Sequence, residues 1–247
     1  MIDKTATLIT DPKLRKERRD LVRDKVLRFL RDETWSNVDV LRTVCEVTTR
    51  QGAHSILSKM ERDGLIKGVK LAITEKFKIN IYGITAHGLA MSYGLDEKFE
   101  DRPIFDPTRL ALSRVPHQID LQHVRLRAEA AGWRDWTRGE RLGFQVKSRP
   151  DAIAVSPQGF KVALEVERTI KQRRRYQIIF NSHLAEIYKD KWQIVAYLGT
   201  AEVIGRVKNI FDALEYTIKG GQEVRISDTE RERFKFFDIS SEWEREL

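Results

Sequence analysis

Three carboxylates, Asp151, Glu165 and Glu167, are the residues of this chain best suited to chemistry. Asp151 precedes Glu165 by fourteen positions, and Glu167 shares a face with Glu165 if both lie on a strand, because strand side chains alternate. On one patch, the three groups would repel one another unless a hard divalent cation neutralised them. The pattern therefore predicts a site for Mg²⁺ or Mn²⁺, and phosphodiester cleavage is the commonest use of such a site.

The residues between these carboxylates predict a hairpin that would bring them together. Ala152–Val155 and Phe160–Leu164 are apolar, and the residues that separate them favour a tight turn. A three-residue loop, 157–159, with its glycine in the left-handed conformation closes two antiparallel strands. In that register Asp151 lies directly opposite Glu165.

An exposed strand is the alternative interpretation, because Glu-x-Glu is common on strand faces that water covers. The segment Val162–Val166 is apolar on both sides of Glu165, which favours a buried strand with a carboxylate near its end. The metal-site hypothesis requires the buried strand.

Composition limits the classes of protein that the chain can belong to. Its 247 residues, 41% of them hydrophobic, suffice for one large or two ordinary globular domains. Lys and Arg number 45 against 37 Asp and Glu, a net charge of +8 that favours nucleic acid as partner and an anionic membrane second. A solvated basic surface without function is the remaining alternative. The single Cys45 excludes an internal disulfide and a cysteine-built zinc site. We expect a cytoplasmic protein that does not insert into membranes, because the start lacks a signal-like apolar region.

The first 95 residues predict a winged helix. A charged lead-in of about twenty residues precedes a helix to about Asp32, and Ser36 begins a second, short helix. Thr48-Thr49 caps a third helix that ends at Asp63-Gly64. A hairpin then runs from Leu65-Ile66 to Tyr82-Gly83, and a closing helix follows.

In winged-helix DNA-binding domains the third helix enters the major groove and the wing touches the backbone. The outward residues of that helix suit base edges near its start and phosphates further along; they are Arg50, Gln51, His54 and Lys59. A winged helix used for protein contacts is the alternative.

Residues 96–116 predict a linker, since five acidic residues and three prolines fall between Asp96 and Pro116. The second domain, 117–247, then has the order helix, strand near Gly143–Val146, hairpin, basic helix and an apolar strand Trp192–Leu198 that should be central and parallel. This α-β-β-β-α-β order is the plan of restriction-endonuclease-like folds.

With Pro150-Asp151 and Glu165-Val166-Glu167, the second domain resembles the PD-(D/E)XK nuclease superfamily, although Glu167 stands where that pattern has Lys. A more extensive resemblance covers most of the chain. The winged helix, the linker, a helix that opens with His117, and the runs Arg149–Ala152 and Glu165–Thr169 resemble the replication-relaxation family, and within it the MobC class of plasmid mobilisation relaxases.

That resemblance implies strand-specific nicking of plasmid DNA at the origin of transfer, with double- and single-stranded DNA as partners. It also implies an accessory mobilisation protein and a coupling protein as partners. Asp151, Glu165 and Glu167 would hold Mg²⁺ or Mn²⁺, Lys171 or Arg168 would replace the missing motif lysine, and His117 would carry a proton or ligate the metal. The densest basic run would hold the scissile strand through phosphate contacts; it comprises Arg168, Lys171, Arg173, Arg174 and Arg175.

Other interpretations stay open from the residues. None of the five histidines forms a His-x-His pair, and Tyr176 has the spacing of a core residue, so attack by water is preferred over a covalent tyrosine adduct. A DNA-binding regulator or replication-initiation factor with an inert nuclease-like domain is the alternative function, and Glu167 in place of Lys favours it. A transposase-like or repair endonuclease is a third. The oligomeric state is left open.

Overall fold

The computed structural model describes residues 10–73, 78–219 and 221–247. The chain is a mixed α/β protein that divides into two compact units, residues 1–122 and 123–247, and the division falls within one helix, α5 (Val115–Ala130). Among the described residues, no helix is both long enough and apolar enough to cross a lipid bilayer.

Before α5, the first unit contains four helices and one three-stranded sheet in its described part. The helices are α1 (Pro12–Glu33), α2 (Val38–Val44), α3 (Arg50–Arg62) and α4 (Ala86–Met91). The strands are β1 (Trp35–Asn37), β2 (Ile66–Ala72) and β3 (Lys78–Ile84), in the antiparallel order β1-β3-β2. The predicted third helix and hairpin are thereby confirmed as elements.

Helix α1 begins ten residues earlier than the apolar spacing predicts, so the expected charged lead-in is wrong over its second half. The side chain of Asp11 accepts a hydrogen bond from the Lys13 N–H, and Pro12 occupies the first turn, where a missing N–H costs nothing. Only the later turns are buried, from Val22 onward. The amphipathic pattern therefore identifies the packed half of α1 and misses the exposed half.

Side-chain caps set the ends of the next two helices. Asn37 caps α2 through a 2.9 Å bond from the Val40 N–H, and Ser36, predicted to start this helix, is instead paired with Tyr82 in the sheet. Thr49 caps α3, as the sequence predicts.

Part of the segment 96–116 packs against the rest of the first unit. Phe105 is buried with Trp35, Ile81 and Val115, and its N–H donates to the Ile84 carbonyl over 2.9 Å. Within the predicted linker, Phe105 and Val115 are thus anchored by apolar burial.

In its described residues, the second unit contains a five-stranded sheet and a two-stranded one after the division in α5. The strands are β4 (Arg134–Arg138), β5 (Ala152–Val155), β6 (Lys161–Glu167), β7 (Ile194–Gly199), β8 (Tyr216–Lys219), β9 (Gln222–Arg225) and β10 (Phe234–Asp238). The helices are α6 (Arg173–Ile187), α7 (Ala201–Asp212) and the short α8 (Asp228–Arg231).

The large sheet has the order β10-β7-β6-β5-β4, in which β7 is parallel to both of its neighbours. The prediction of a central parallel strand is confirmed. The strand expected at Gly143–Val146 is wrong, since the strand before the hairpin is β4. Apolar residues alternate along this irregular segment because every second side chain packs on the core; they are Leu142, Phe144 and Val146.

One face of the large sheet packs against α6 and α7 through aromatic rings. The ring of Phe180 lies 4.5 Å from that of Phe211, 5.4 Å from Phe234 and 5.6 Å from Tyr197, centroid to centroid. Offset and edge-to-face contacts at these distances add to the area that the rings bury. They fix α6 over the strand ends where the carboxylates lie.

Candidate active site at the carboxyl edge of the parallel strands

The carboxylate cluster, Asp151, Glu165 and Glu167, lies where the parallel strands end. On β6, Glu165 pairs with Tyr197 of β7, and Glu167 pairs with Gly199. In open α/β sheets, ligands bind outside the carboxyl ends of the parallel strands. Glu165 and Glu167 are both buried, which excludes the solvent-exposed interpretation of Glu-x-Glu.

The hairpin places Asp151 as the sequence predicts. Ala152 pairs with Leu164, a register that continues to Asp151 opposite Glu165. The turn glycine, Gly159, has φ +89°, the left-handed conformation that closes the loop. Beyond the paired ladder, Asp151 Oδ2 accepts a 2.8 Å bond from the Val166 N–H, which holds its carboxylate against the end of β6.

A buried histidine holds Glu165. Nε2 of His183, on α6, lies 2.9 Å from Oε1 of Glu165. The His183 side chain is fully buried and its Nδ1 has no hydrogen-bond partner among the described residues. Burial lowers the pKa of His183 to about 3, against the opposing effect of the Asp151 and Glu186 carboxylates. The neutral ring with its proton on Nε2 therefore donates to Glu165.

Lys171 approaches Glu167 from the segment that precedes α6. Its ammonium forms an ion pair with Glu167 Oε1, and its nitrogen lies 5.6 Å from the ring centre of Tyr176. Lys171 is partly exposed, whereas Glu167 is almost fully buried. A positive charge therefore stands at the cluster, supplied four residues after the position where the PD-(D/E)XK pattern has its lysine.

Two tyrosine hydroxyls face the same group of charges. Burial and then the Glu165 and Glu167 carboxylates raise the pKa of Tyr197 well above its usual range. Burial and then Glu167 raise the pKa of Tyr176 to about 12, although its hydroxyl accepts a bond from the Lys171 N–H. Both phenols are therefore protonated at neutral pH, and Tyr176 is a core residue, as its spacing predicts.

The cluster suits a hard cation by the chemistry of its oxygen donors. Within the described ranges, no group of three or more His, Cys, Asp or Glu side chains is placed to hold a metal ion. Mg²⁺ does not need one, because it keeps several waters and uses one or two carboxylates. Asp151 and Glu165, opposite each other across the hairpin by strand register, would supply those two carboxylates, and the metal site stays a prediction.

The basic run after β6 is exposed on and before α6. Arg168, Arg174 and Arg175 are exposed, and Arg173 donates from Nη2 to the Ala213 carbonyl over 3.0 Å. Arg173 therefore ties α6 to the end of α7 as well as adding charge. The run begins directly after β6, and its member Lys171 contacts the cluster through Glu167.

The residues predicted to read DNA lie on α3 in the first unit. Arg50 forms a two-point ion pair with Asp39 of α2, with Nε–Oδ1 2.7 Å and Nη2–Oδ2 2.5 Å. His54 Nδ1 lies 3.2 Å from the Tyr82 hydroxyl, while Gln51 and Lys59 are exposed. To contact a base, the guanidinium of Arg50 must leave the carboxylate of Asp39.

His117, predicted to assist catalysis, lies half-buried in the first turn of α5, within the first unit. The carboxylate cluster belongs to the second unit. The described contacts give His117 no assigned role in the cluster, so its participation stays a prediction.

His183 and Tyr197 are members of this site that sequence reasoning missed. His183 follows Phe180 by three positions on α6, so it interrupts an apolar stripe with a polar ring, and that was the available signal. Tyr197 gave no comparable signal, because its polarity is confined to one hydroxyl within an apolar strand.

No protein-family model, curated protein or solved structure matches this chain. The residues, contacts and charges of the chain itself therefore carry the functional assignment.

Proposed function

We propose that the protein is a metal-dependent DNA endonuclease that nicks one strand of plasmid DNA at an origin of transfer. The observation that carries the proposal is the hairpin register that sets Asp151 beside Glu165 at the end of a buried strand. Carboxylates at that position, next to an ammonium and an exposed arginine run, match the needs of phosphodiester chemistry. The substrate would reach it in the cytoplasm.

The arrangement of elements supports the two parts of this proposal. Helices α1 to α3 followed by the β2–β3 hairpin agree with a winged helix, whose third helix reads the major groove. The order α5-β4-β5-β6-α6-β7 agrees with a restriction-endonuclease-like domain. On this proposal the first unit binds the specific site and the second unit cuts.

The residues at and near the cluster have different roles in this proposal. Asp151 and Glu165 would hold Mg²⁺ or Mn²⁺, which supplies a water of lowered pKa and neutralises charge at the attacked phosphate. His183 orients Glu165 by donating from Nε2, and Lys171 supplies positive charge beside Glu167. The arginines of α6 hold the phosphates of the strand to be cut.

Water is the preferred nucleophile in this proposal. Tyr176 is fully buried, and both burial and Glu167 raise the pKa of its hydroxyl, so a phenolate that could attack phosphorus is disfavoured. Tyr176→Phe should therefore keep nicking activity. A protein–DNA adduct on a denaturing gel that disappears in Tyr176→Phe would contradict this assignment.

A nicking assay on supercoiled plasmid carrying its own transfer origin tests the proposal. With Mg²⁺ or Mn²⁺ the wild type should produce open circles, and Asp151→Asn or Glu165→Gln should lower the rate about a hundredfold or more, because a bound metal supplies several kcal/mol. Glu202→Gln, an exposed carboxylate on α7, is the matched control and should cut normally. Nicking that survives in both Asp151→Asn and Glu165→Gln would reject the metallonuclease.

The second candidate function is a DNA-binding regulator whose second unit is inert. The contact between Glu167 and Lys171 favours it, since a lysine neutralised by a carboxylate offers less charge to a phosphate. This candidate predicts specific duplex binding without strand cleavage under any divalent cation. The same plasmid assay, run beside binding isotherms, separates the two candidates.

A further inference from the structure

A concave groove runs between the first half of α1 and α3, away from the carboxylate cluster. Its volume is about 580 Å³, within the range of ligand sites in proteins. Apolar side chains form its floor, and six cationic side chains against two carboxylates line its walls. The cationic residues are Arg15, Lys16, Arg18, Arg19, Arg23 and Lys59.

Arginines continue the side of α1 that carries Val22 into the exposed half of the helix. Val22 is buried, and Arg15, Arg18 and Arg19 precede it by seven, four and three residues, so they share its side of the helix. The apolar stripe of the packed half thus continues as an arginine stripe over the groove.

Two of these arginines lack a local counter-charge. Arg23 approaches Asp20 within 3.5 Å and Asp24 within 3.4 Å, but Arg18 and Arg19 form no ion pair with any residue in the described part of the chain. The groove therefore presents uncompensated positive charge above an apolar floor. Its complement is a ligand with acidic groups along one side and apolar groups along another.

We propose that this groove binds an acidic amphipathic helix of a partner protein. Two helices, α1 and α3, form its walls, and a third helix can bury an apolar stripe on the partly exposed Val47 and Ile56 while its carboxylates meet the arginines. A nucleic acid would contact only the cationic walls, because the apolar floor offers no phosphate contact. No aromatic ring for base stacking is among the described lining residues.

The probe is a synthetic amphipathic peptide of about 18 residues with leucines on one face and glutamates on the other, compared with a scrambled peptide of equal composition. Fluorescence anisotropy with the full chain should show roughly tenfold tighter binding of the amphipathic peptide. Arg18→Glu with Arg19→Glu should remove that preference. Lys67→Glu with Lys70→Glu, an equal charge change on β2, should leave it intact.

A third variant tests the floor without adding charge. Ile56→Ala should weaken binding of the amphipathic peptide and leave the residual binding of the scrambled one, and circular dichroism melting confirms that it folds. Equal binding of both peptides to the wild type would overturn the proposal, since charge alone would explain it. Two other occupants would also overturn it: DNA, if the arginine reversal weakens DNA binding alone, and a second copy, if the reversal disperses a self-associated chain in sedimentation.

Discussion

His183 should make the stability of the metal-free protein fall steeply in mild acid. Its ring is fully buried against Trp192, Tyr197 and Phe234, and a second ring proton on Nδ1 would have no acceptor among the described residues. Burial lowers the pKa of His183 from 6.5 to about 3, so the unfolded chain takes up a proton below pH 6.5 that the folded chain does not. The stability that neutral His183 contributes is thus complete above pH 6.5 and decreases as the pH falls towards 3. Between pH 7.5 and pH 5 the loss amounts to about 2 kcal/mol, since each pH unit below 6.5 costs about 1.4 kcal/mol.

Urea unfolding at both pH values measures this loss when wild type is compared with His183→Gln. Glutamine keeps a donor for Glu165 but does not titrate, and the carboxylates common to both proteins cancel in the difference. The variant should lose about 2 kcal/mol less than the wild type on going to pH 5. Equal losses would refute the reasoning, because they would mean that His183 is protonated in the folded state beside Glu165. Glu165→Gln provides the second arm, since it should leave the histidine's contribution in place if burial is its cause.

Three further predictions concern β7, α7 and α3. Gly199→Ala should destabilise the protein by about 1–3 kcal/mol, because the added Cβ would lie 2.4 Å from a main-chain oxygen of β6. Gly205→Ala has open space around it and should stabilise α7 by about 0.5–1 kcal/mol. Thermal unfolding of the two variants measures both effects. Tyr197→Phe removes a buried hydroxyl that lacks a partner in the described chain and should raise the unfolding free energy by about 1 kcal/mol, so a loss of that size would contradict it. Arg50→Ala should weaken a specific duplex by roughly 1–3 kcal/mol more than a scrambled one, and Asp39→Ala, which releases the guanidinium, should strengthen binding in isotherms at several salt concentrations.

Local signals account for the parts of the fold that the sequence predicts. The hairpin that carries Asp151 depends on a turn with a left-handed glycine and on two short apolar runs, so its register follows from neighbouring residues. The central strand β7 was recognisable from its continuous apolar composition, which a strand buried on both faces requires. The strand expected at 143–146 failed because alternating burial also arises in an irregular segment that packs on a core.

Contacts between distant residues account for what could not be predicted. His183 and Glu165 are eighteen residues apart, and they meet because the crossover from β6 through α6 to β7 lays the helix over the strand. No sequence spacing specifies which turn of α6 faces Glu165, since that depends on how Phe180 packs between the sheet and α7. The same limit applies to Arg50, whose pairing with Asp39 depends on the approach of α2 to α3.

Glu167 stands where the PD-(D/E)XK pattern has a lysine, and it forms an ion pair with Lys171. A lysine on the strand two positions after Glu165 would be fixed by the backbone, whereas Lys171 approaches from a segment outside the strand and remains partly exposed. An exposed ammonium exchanges partners at low cost, because surface ion pairs contribute little. Glu167, by contrast, is buried and needs a positive neighbour whether or not DNA is bound, since an unpaired buried charge is strongly destabilising. On the endonuclease proposal, a cation bound beside Glu167 would take over from Lys171 and release it to a phosphate, so metal binding and DNA binding would be coupled. The regulator candidate predicts no such coupling.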